Sequence, residues 1–177
     1  MSKNRKSMNR ILCVILFIGF TINLSAQNKN MEEVVLKKIE IDSFSNKLGL
    51  EIGLAIVDLA KERNQNIAVQ VERINHTIFL FVDDNLPKDK HNWLRRKANV
   101  TKHFEESSLS VKNDLAKGNM TLGKTFALDE KEYLAKGGSI PIFVKNAGMV
   151  AIVTVSGLHD EEDHKIIIEA LKGTFFD

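Results

Sequence analysis

Cysteine is almost absent from the sequence, which contains a single one, Cys13. This residue lies in an N-terminal segment with the three parts of an export signal: basic residues as far as Arg10, an apolar run over 11–22, and Leu24-Ser25-Ala26 as a cleavage site. The apolar run is too short to span hydrocarbon about 30 Å thick. We therefore expect residues 1–26 to be a signal peptide cleaved after Ala26; the alternative is an uncleaved N-terminal anchor.

Cleavage removes the only thiol from the chain. A mature protein without cysteine has no disulfide, no thiolate ligand for a metal and no cysteine nucleophile. Its stability must come from a hydrophobic core, and about 150 residues are enough for one such core. We predict a flexible polar leader at 27–33 and a single domain at 34–177, exported to the periplasm or the extracellular space.

A charge excess of either sign is also lacking. The chain has 25 Lys and Arg residues against 23 Asp and Glu residues, and the signal contains four of the bases and none of the acids. The mature chain therefore has 21 bases against 23 acids, a formal net charge of −2. Without a clustered basic stripe it has no electrostatic footprint for nucleic acid. We expect no nucleic-acid partner and no integral membrane segment after signal cleavage.

Motifs that would identify an enzyme are lacking as well. The chain has no nucleophile elbow, P-loop, dinucleotide-binding fingerprint or paired-carboxylate signature. We therefore predict no catalytic residue, and we do not expect a conventional enzyme.

The clearest structural signal is a hairpin near the C-terminus. Two apolar, β-rich runs, Ile140–Val144 and Met149–Val155, flank Asn146-Ala147-Gly148, and Gly148 can adopt the positive φ that a three-residue loop requires. An antiparallel strand with one solvent-exposed face would alternate apolar and polar residues, and these runs do not. The hairpin is therefore predicted to lie in mid-sheet, covered on both faces.

Periodicity predicts the remaining elements. In chain order they are a strand at 34–41, a helix at 45–63 capped by Asp42 or Ser43, strands at 67–73 and 77–82, a helix at 88–115, a short strand at 125–128, a short helix at 129–136 capped by Gly137, the hairpin, and a helix from Asp160. Strands joined by hairpins imply an antiparallel sheet. The predicted fold class is α+β, with about five strands and flanking helices.

Several short motifs follow one another in a fixed order. They are Trp93-Leu94-Arg95-Arg96-Lys97, Ser107-Ser108, Tyr133, Gly137-Gly138-Ser139-Ile140-Pro141-Ile142, Ser156-Gly157-Leu158 and Asp163-His164. This succession of W-x-x-R-K, G-G-x-x-P-I, S-G-L and D-H resembles the haem-degrading-domain superfamily, the GlcG-like and extracellular haem-binding proteins. Within it, the chain is most similar to a subgroup of mostly uncharacterised members, over about 39–171.

The resemblance implies a profilin-like or PAS-like domain with a central antiparallel sheet, and assembly into homo-oligomers. Some members of the superfamily bind or degrade haem, so haem is the expected cofactor, although no axial ligand transfers to a matching position. Burial favours an oligomer independently. If helices cover only one face of the apolar hairpin, another subunit is needed to cover exposed hydrophobic surface.

His164 is the histidine best placed to have a role. It shares a face of the last helix with Ile167, Ile168 and Leu171, so it is predicted to point toward the sheet. One interpretation is a structural histidine hydrogen-bonded by a carbonyl or by Asp163; the other is a haem-iron ligand or a pocket acid or base. The exposed histidines are predicted to be His76, His91 and His103.

Five further residues are candidates for ligand binding: Trp93, Arg96, Lys97, Tyr133 and Ser156. Lys97 interrupts an apolar helical stripe, which requires a carboxylate, a carbonyl or a ligand nearby. Arg96 and Lys97 either attract an anion such as a propionate or belong to a solvated face. The two aromatic residues are either core or interface residues or stack on haem.

Ser156 ends a strand just before a helix, a geometry that elsewhere binds anions. Four carboxylates at 160–163 already occupy that helix N-terminus, where they would repel a phosphate. We therefore interpret them as helix support.

These observations predict an exported small-ligand-binding domain, with haem or a related tetrapyrrole as the first choice and haem sensing or weak haem degradation as its use. One alternative is an oligomeric interaction or adaptor module without catalytic activity. The other is an enzyme that acts on a small organic acid.

Overall fold

The structure is a computed structural model, and it describes residues 37–175. The predicted signal peptide, the leader and the start of the predicted first strand lie outside the described residues.

The described chain contains five strands and five helices, which confirms the α+β class. The strands are β1 (Ile39–Ile41), β2 (Ala68–Arg73), β3 (His76–Val82), β4 (Ser139–Val144) and β5 (Gly148–Ser156). The helices are α1 (Asn46–Glu62), α2 (Lys90–Phe104), α3 (Ser108–Lys117), α4 (Leu122–Phe126) and α5 (Asp160–Phe175).

All five strands form one sheet in the order β1-β4-β5-β2-β3. The pairs β4-β5, β5-β2 and β2-β3 are antiparallel. The pair β1-β4 is parallel, with Ile39 opposite Ile142. The sheet is therefore mixed and not wholly antiparallel, because most of the domain lies between β1 and β4 and serves as the crossover that a parallel pair needs.

Helices of the same chain cover both faces of the sheet. On one face, α1 and α5 pack on alternate strand residues such as Val69, Ile142 and Val153. On the other face, α2 packs against β4 and β5 and buries Leu94 and Ala98. This confirms that the hairpin is interior and covered on both faces. Because the cover is intramolecular, the hairpin itself does not require a second subunit.

The predicted long helix at 88–115 is two helices. Glu105 adopts the left-handed conformation at φ 54° and ends α2, and α3 begins after its N-cap, Ser107, whose Oγ accepts a hydrogen bond from the Ser110 amide at 3.2 Å. Apolar residues keep helical spacing across the break, so periodicity alone could not detect it. Similarly, Ser45 and not Asp42 or Ser43 caps α1, accepting from the Leu48 amide.

The segment between α3 and β4 also differs from prediction. The expected strand at 125–128 is instead α4, which Ala127 ends at φ 57°. The expected helix at 129–136 is irregular chain held against α2, where the Leu134 amide donates to the Arg96 carbonyl at 3.1 Å and Arg96 Nη2 donates to the Glu130 carbonyl at 2.5 Å. Long-range contacts therefore override local helix propensity here.

Gly137 consequently does not cap a helix. A Cβ at this position would lie 2.2 Å from the Asp160 carbonyl oxygen. Glycine is required because the chain entering β4 passes directly against the start of α5.

Candidate functional site

An open cavity of about 200 Å³ lies where the start of α2 meets the connection between β5 and α5. We call it the lysine cavity. It is lined by Lys90, Trp93, Lys97, Lys136, Ser156, Leu158, His159, Asp160 and Asp163. Three of the candidates from the sequence, Trp93, Lys97 and Ser156, therefore come together.

A buried ion pair lies on the deep side of the cavity. Lys97 Nζ donates to Asp163 Oδ2 at 2.7 Å and to the Val155 carbonyl at 3.1 Å, and each side chain of the pair is only 2% exposed. Asp163 Oδ1 accepts from the Leu158 amide at 2.9 Å. The lysine predicted to need a carboxylate or a carbonyl has both, and it joins α2 to the start of α5.

Burial shifts both groups toward their neutral forms. Desolvation lowers the pKa of Lys97 below its ordinary value, and the attraction of Asp163 only partly offsets this. Desolvation likewise raises the pKa of Asp163 in spite of the nearby ammonium group. The proton between these groups is therefore held less firmly on the lysine than it would be in water.

Close backbone packing around this pair explains the glycine motifs. Gly138 has φ 108°, and a Cβ there would lie 2.5 Å from the Val155 carbonyl oxygen and 3.1 Å from Lys97 Nζ. Gly157 has φ 150°, and its Cβ would lie 2.5 Å from the Asn66 carbonyl oxygen. Only glycine allows these strand ends to approach one another and the pair so closely.

The mouth of the cavity is positively charged and partly aromatic. Lys90 Nζ lies 5.1 Å and Lys136 Nζ 5.9 Å from the centre of the Trp93 ring. Trp93 Nε1 donates to Asp89 Oδ2 at 2.9 Å, which fixes the ring. Neither lysine forms an ion pair with a carboxylate of the described chain. Asp160 and Asp163, which line the same cavity, are paired with Lys112 and Lys97, so both ammonium groups at the mouth are available to an anion.

His159 lies at the rim of the cavity, and its side chain is 75% exposed. Its Nδ1 lies 3.1 Å from Asp160 Oδ1, and Nε2 has no hydrogen-bond partner in the described part of the chain. Burial raises the pKa of Asp160, but the hydrogen bond and charge of Lys112, 2.7 Å away, bring it below its ordinary value. An ionised carboxylate thus orients an accessible imidazole.

The other candidates lie elsewhere. Arg96 and Tyr133 line a second cavity of about 260 Å³, together with Leu134 and Glu130. The guanidinium of Arg96 lies 5.9 Å from the centre of the Trp93 ring, so it borders the lysine cavity without lining it. The structure does not bring Arg96, Lys97, Ser156 and His164 into one pocket.

His164 points inward as predicted and is 2% exposed, but it does not line the lysine cavity. Neither ring nitrogen has a hydrogen-bond partner among residues 37–175, so the expected carbonyl or Asp163 contact is not observed. Burial lowers the pKa of His164 to about 4, and the charge of Lys97 adds to this. The ring is neutral at pH 7. His76, His91 and His103 are exposed, as expected.

Sequence reasoning missed three residues of the site: Lys90, Lys136 and His159. Each is adjacent in sequence or on a helix face to a recognised motif: Lys90 is three residues before Trp93, Lys136 precedes the paired glycines, and His159 follows the S-G-L motif. Their proximity to these motifs could have identified these three residues as site candidates. Helical periodicity could not, because it does not show which distant residues meet.

Within residues 37–175, no group of three or more His, Cys, Asp or Glu residues could hold a metal ion by itself. No helix in the same range is long and apolar enough to cross a membrane.

Comparisons with known proteins agree with this architecture. A model of the family described as haem degrading protein HbpS-like matches residues 44–172. A UPF0303 protein of Zymomonas mobilis is 36% identical over 135 residues, which are 76% of this chain and 73% of that protein. The crystal structure of the Ybr137w protein superposes with a TM-score of 0.69 at 27% identity, covering 76% of this chain and 79% of that one.

A crystal structure of a PduOC:heme complex also superposes, with a TM-score of 0.61 at 14% identity over 76% of this chain and 96% of that one. At that identity the likeness shows a shared fold. The family match covers most of the chain and includes every residue of the lysine cavity. The chain is a member of the HbpS-like haem-degrading protein family.

Proposed function

We propose that this protein binds haem or a related tetrapyrrole at the lysine cavity. The observation that supports this best is the mouth of the cavity, where Lys90 and Lys136 flank the Trp93 ring and have no carboxylate partner among residues 37–175. Ammonium groups attract the propionate arms of a tetrapyrrole, and an indole ring provides a flat apolar surface for a macrocycle.

The size of the cavity determines how much of the ligand it can hold. Pockets that enclose a drug-sized ligand usually measure about 300–1,000 Å³, and this one measures about 200 Å³. It therefore receives a carboxylate arm, and the macrocycle lies outside, at the rim.

His159 is the residue that would hold the iron. Its Nε2 is accessible, and its Nδ1 contacts Asp160 Oδ1, the carboxylate contact that commonly orients metal-binding histidines. His164, the ligand suggested by the sequence, is buried and lacks this access. Bound haem would supply an iron centre for sensing or redox chemistry. The chain supplies the lysines, the indole and the imidazole.

The family membership and the fold shared with a PduOC:heme complex support the same ligand class. Haem sensing or slow haem degradation are the uses consistent with that family. The broader proposal, that the protein is a small-ligand-binding domain, rests only on the positively charged cavity and does not depend on haem being the ligand.

Haemin titration followed by absorption in the Soret region tests the proposal. We expect a Soret shift for the wild type, and a changed Soret position with weakened binding for His159→Ala. His91→Ala, which removes another exposed histidine, is the matched control and should behave like the wild type. No shift with the wild type, or identical spectra for His159→Ala, would contradict the proposed site.

We further propose that the protein acts after export, in the periplasm or outside the cell, and begins at Gln27. The basis is the sequence of residues 1–26. Mass analysis of the mature protein should show a chain without Met1 to Ala26. An intact N-terminus with its basic residues would contradict cleavage.

A second candidate is a homo-oligomeric interaction module. Strand β3 forms an edge of the sheet and exposes Leu80 (53%) and Val82 (36%), a pattern that favours pairing with another copy of the strand. Light scattering after size exclusion should give a mass above one chain, and Leu80→Lys should lower it. A monomeric wild type would remove this candidate.

A further inference from the structure

The proposed function leaves one buried reactive group unused. Lys97 is 1% exposed and lies against the lysine cavity, and its Nζ contacts Asp163 and the Val155 carbonyl. Most ion pairs in proteins lie at the surface, where water solvates both charges. Here, both charged groups are instead placed on the deep side of a cavity whose mouth attracts anions.

The surroundings of Lys97 shift its protonation equilibrium toward the neutral amine. Removing the ammonium group from water is costly, and a nearby carboxylate in the same dry environment can accept its proton. Among the more distant charges, Asp160 favours the protonated form and Lys90 acts against it by a smaller amount, so desolvation is the main cause of the lowered pKa. Desolvated lysines of this kind are the ones that react with carbonyl compounds in proteins.

The anion site adds a second requirement for a ligand. Lys90 and Lys136 lie at the mouth of the same cavity, in which Lys97 is deep. A molecule that satisfies both sites carries both a carboxylate and a carbonyl group. The cavity of about 200 Å³ restricts such a molecule to a few carbon atoms.

We propose that Lys97 is a carbonyl-reactive amine that forms a Schiff base with a short oxo acid, whose carboxylate binds at Lys90 and Lys136. This chemistry is distinct from tetrapyrrole binding, although it uses the same cavity.

The atoms balance without another reactant. The Nζ lone pair attacks the carbonyl carbon, a C–N bond forms, and the carbonyl oxygen takes the proton of the Asp163 carboxyl group. The new ammonium nitrogen returns one proton to Asp163, which then protonates the hydroxyl group as the C–O bond breaks. The products are a protonated imine, ionised Asp163 and water, so no oxidant or reductant is required.

Trapping with sodium cyanoborohydride tests the proposal. The full chain is incubated with pyruvate and the reductant at pH 7, and peptide mapping compares Lys97 with Lys47, whose side chain is 86% exposed. We expect Lys97 to be modified first, because burial lowers its pKa and each unit of lowering gives on the order of tenfold more neutral amine. Modification of Lys47 with Lys97 unmodified, or no modification at all, would overturn the proposal.

Two controls separate the amine from the carboxylate site. Acetone has the carbonyl group without the carboxylate, so it should modify Lys97 more slowly than pyruvate does. The double variant Lys90→Ala, Lys136→Ala should lose the part of this preference that exceeds the pyruvate-to-acetone ratio at exposed Lys47, which reflects the intrinsic reactivity of the two ketones. Because neither lysine is buried, circular dichroism should show an unchanged fold. A preference above that ratio that survives in the double variant would overturn the assignment of the carboxylate site.

The two proposals fail separately. Haemin spectra report tetrapyrrole binding, and reductive trapping reports the amine. Trapping at Lys97 without a Soret shift removes only the haem proposal, and the reverse result removes only the Schiff base.

Discussion

The two faces of the central sheet are built differently. Toward α1 and α5, the buried strand residues are apolar, as at Val69, Ile142 and Val153. Toward α2, the alternate positions of the same strands include Ser139 and Thr154, which lie opposite one another with their hydroxyl oxygens 2.9 Å apart. One sheet therefore combines an apolar core with a buried polar layer.

The polar layer requires specific partners. The Ser139 amide donates to Ser108 Oγ at 3.0 Å, so α3 is attached to β4, and Lys97 attaches α2 to the β5–α5 connection. Apolar packing tolerates volume-conserving changes, whereas a buried polar atom that loses its partner keeps the full cost of desolvation. The lysine cavity lies next to this polar layer. The hydrogen bonds of the layer hold the side chains on the deep side of the cavity in defined positions.

The strongest test of this difference is Lys97→Met. The substitution leaves Asp163 buried without its cation, and removing one partner of a buried pair costs about 3–5 kcal/mol. Urea unfolding should show this loss as a lower midpoint at unchanged slope. The matched double variant Lys97→Met, Asp163→Leu should regain much of the stability. A single variant as stable as the wild type would show that the pair is not held as tightly as its 2.7 Å contact indicates.

Acid should destabilise the fold through His164, a buried polar residue on α5 that has no hydrogen-bond partner among residues 37–175. Burial lowers the pKa of His164 from 6.5 to about 4, so the unfolded chain binds this proton more readily than the folded chain does. The contribution to stability is complete above pH 6.5 and is lost as the pH falls toward 4. The shift corresponds to about 3 kcal/mol.

Unfolding measured between pH 7 and pH 4 checks this expectation against His164→Leu. Subtracting the two profiles removes the contribution that titrating groups share in both proteins, so the remaining pH dependence reports on the imidazole. A pH dependence identical in both proteins would contradict the assigned shift.

Removing a single buried hydroxyl group should lower stability by a smaller amount, because one hydrogen bond of the polar layer is lost. Ser139→Ala removes the hydroxyl that contacts Thr154 Oγ1, and leaving that buried group with one partner fewer costs about 1–3 kcal/mol. Ile142→Val in the same strand is the apolar control, expected to cost about 0.5–1.5 kcal/mol. Equal urea midpoints for Ser139→Ala and the wild type would mean that the stability of the polar layer does not depend on this hydrogen bond.

The smallest effect on stability is expected at the mouth of the cavity. Lys90→Ala with Lys136→Ala removes surface cations that have no carboxylate partner in the described chain, so the free energy of unfolding should change by no more than about 0.5 kcal/mol. Haemin affinity should nevertheless fall, because the propionates lose their counter-charges. Unchanged haemin affinity in a titration would contradict the proposal that the tetrapyrrole binds at the lysine cavity.

Local pattern was sufficient for the elements with strong periodicity. The interior hairpin followed from two unbroken apolar runs, and the inward direction of His164 followed from its helical spacing with Ile167 and Leu171. The family also followed from short motifs, because Gly138 and Lys97 are placed by contacts that few other residues satisfy.

The order of residues alone thus determined the α+β class, the central hairpin and the place of Lys97 in an apolar helical stripe, where burial would require a partner, since each depends on neighbours a few positions away. Only the tertiary structure decided that Asp163 is that partner, that α2 ends at Phe104, and that His159 and Lys136 meet at one cavity. Periodicity states which side of an element a residue occupies. Which residue lies opposite depends on how distant segments pack.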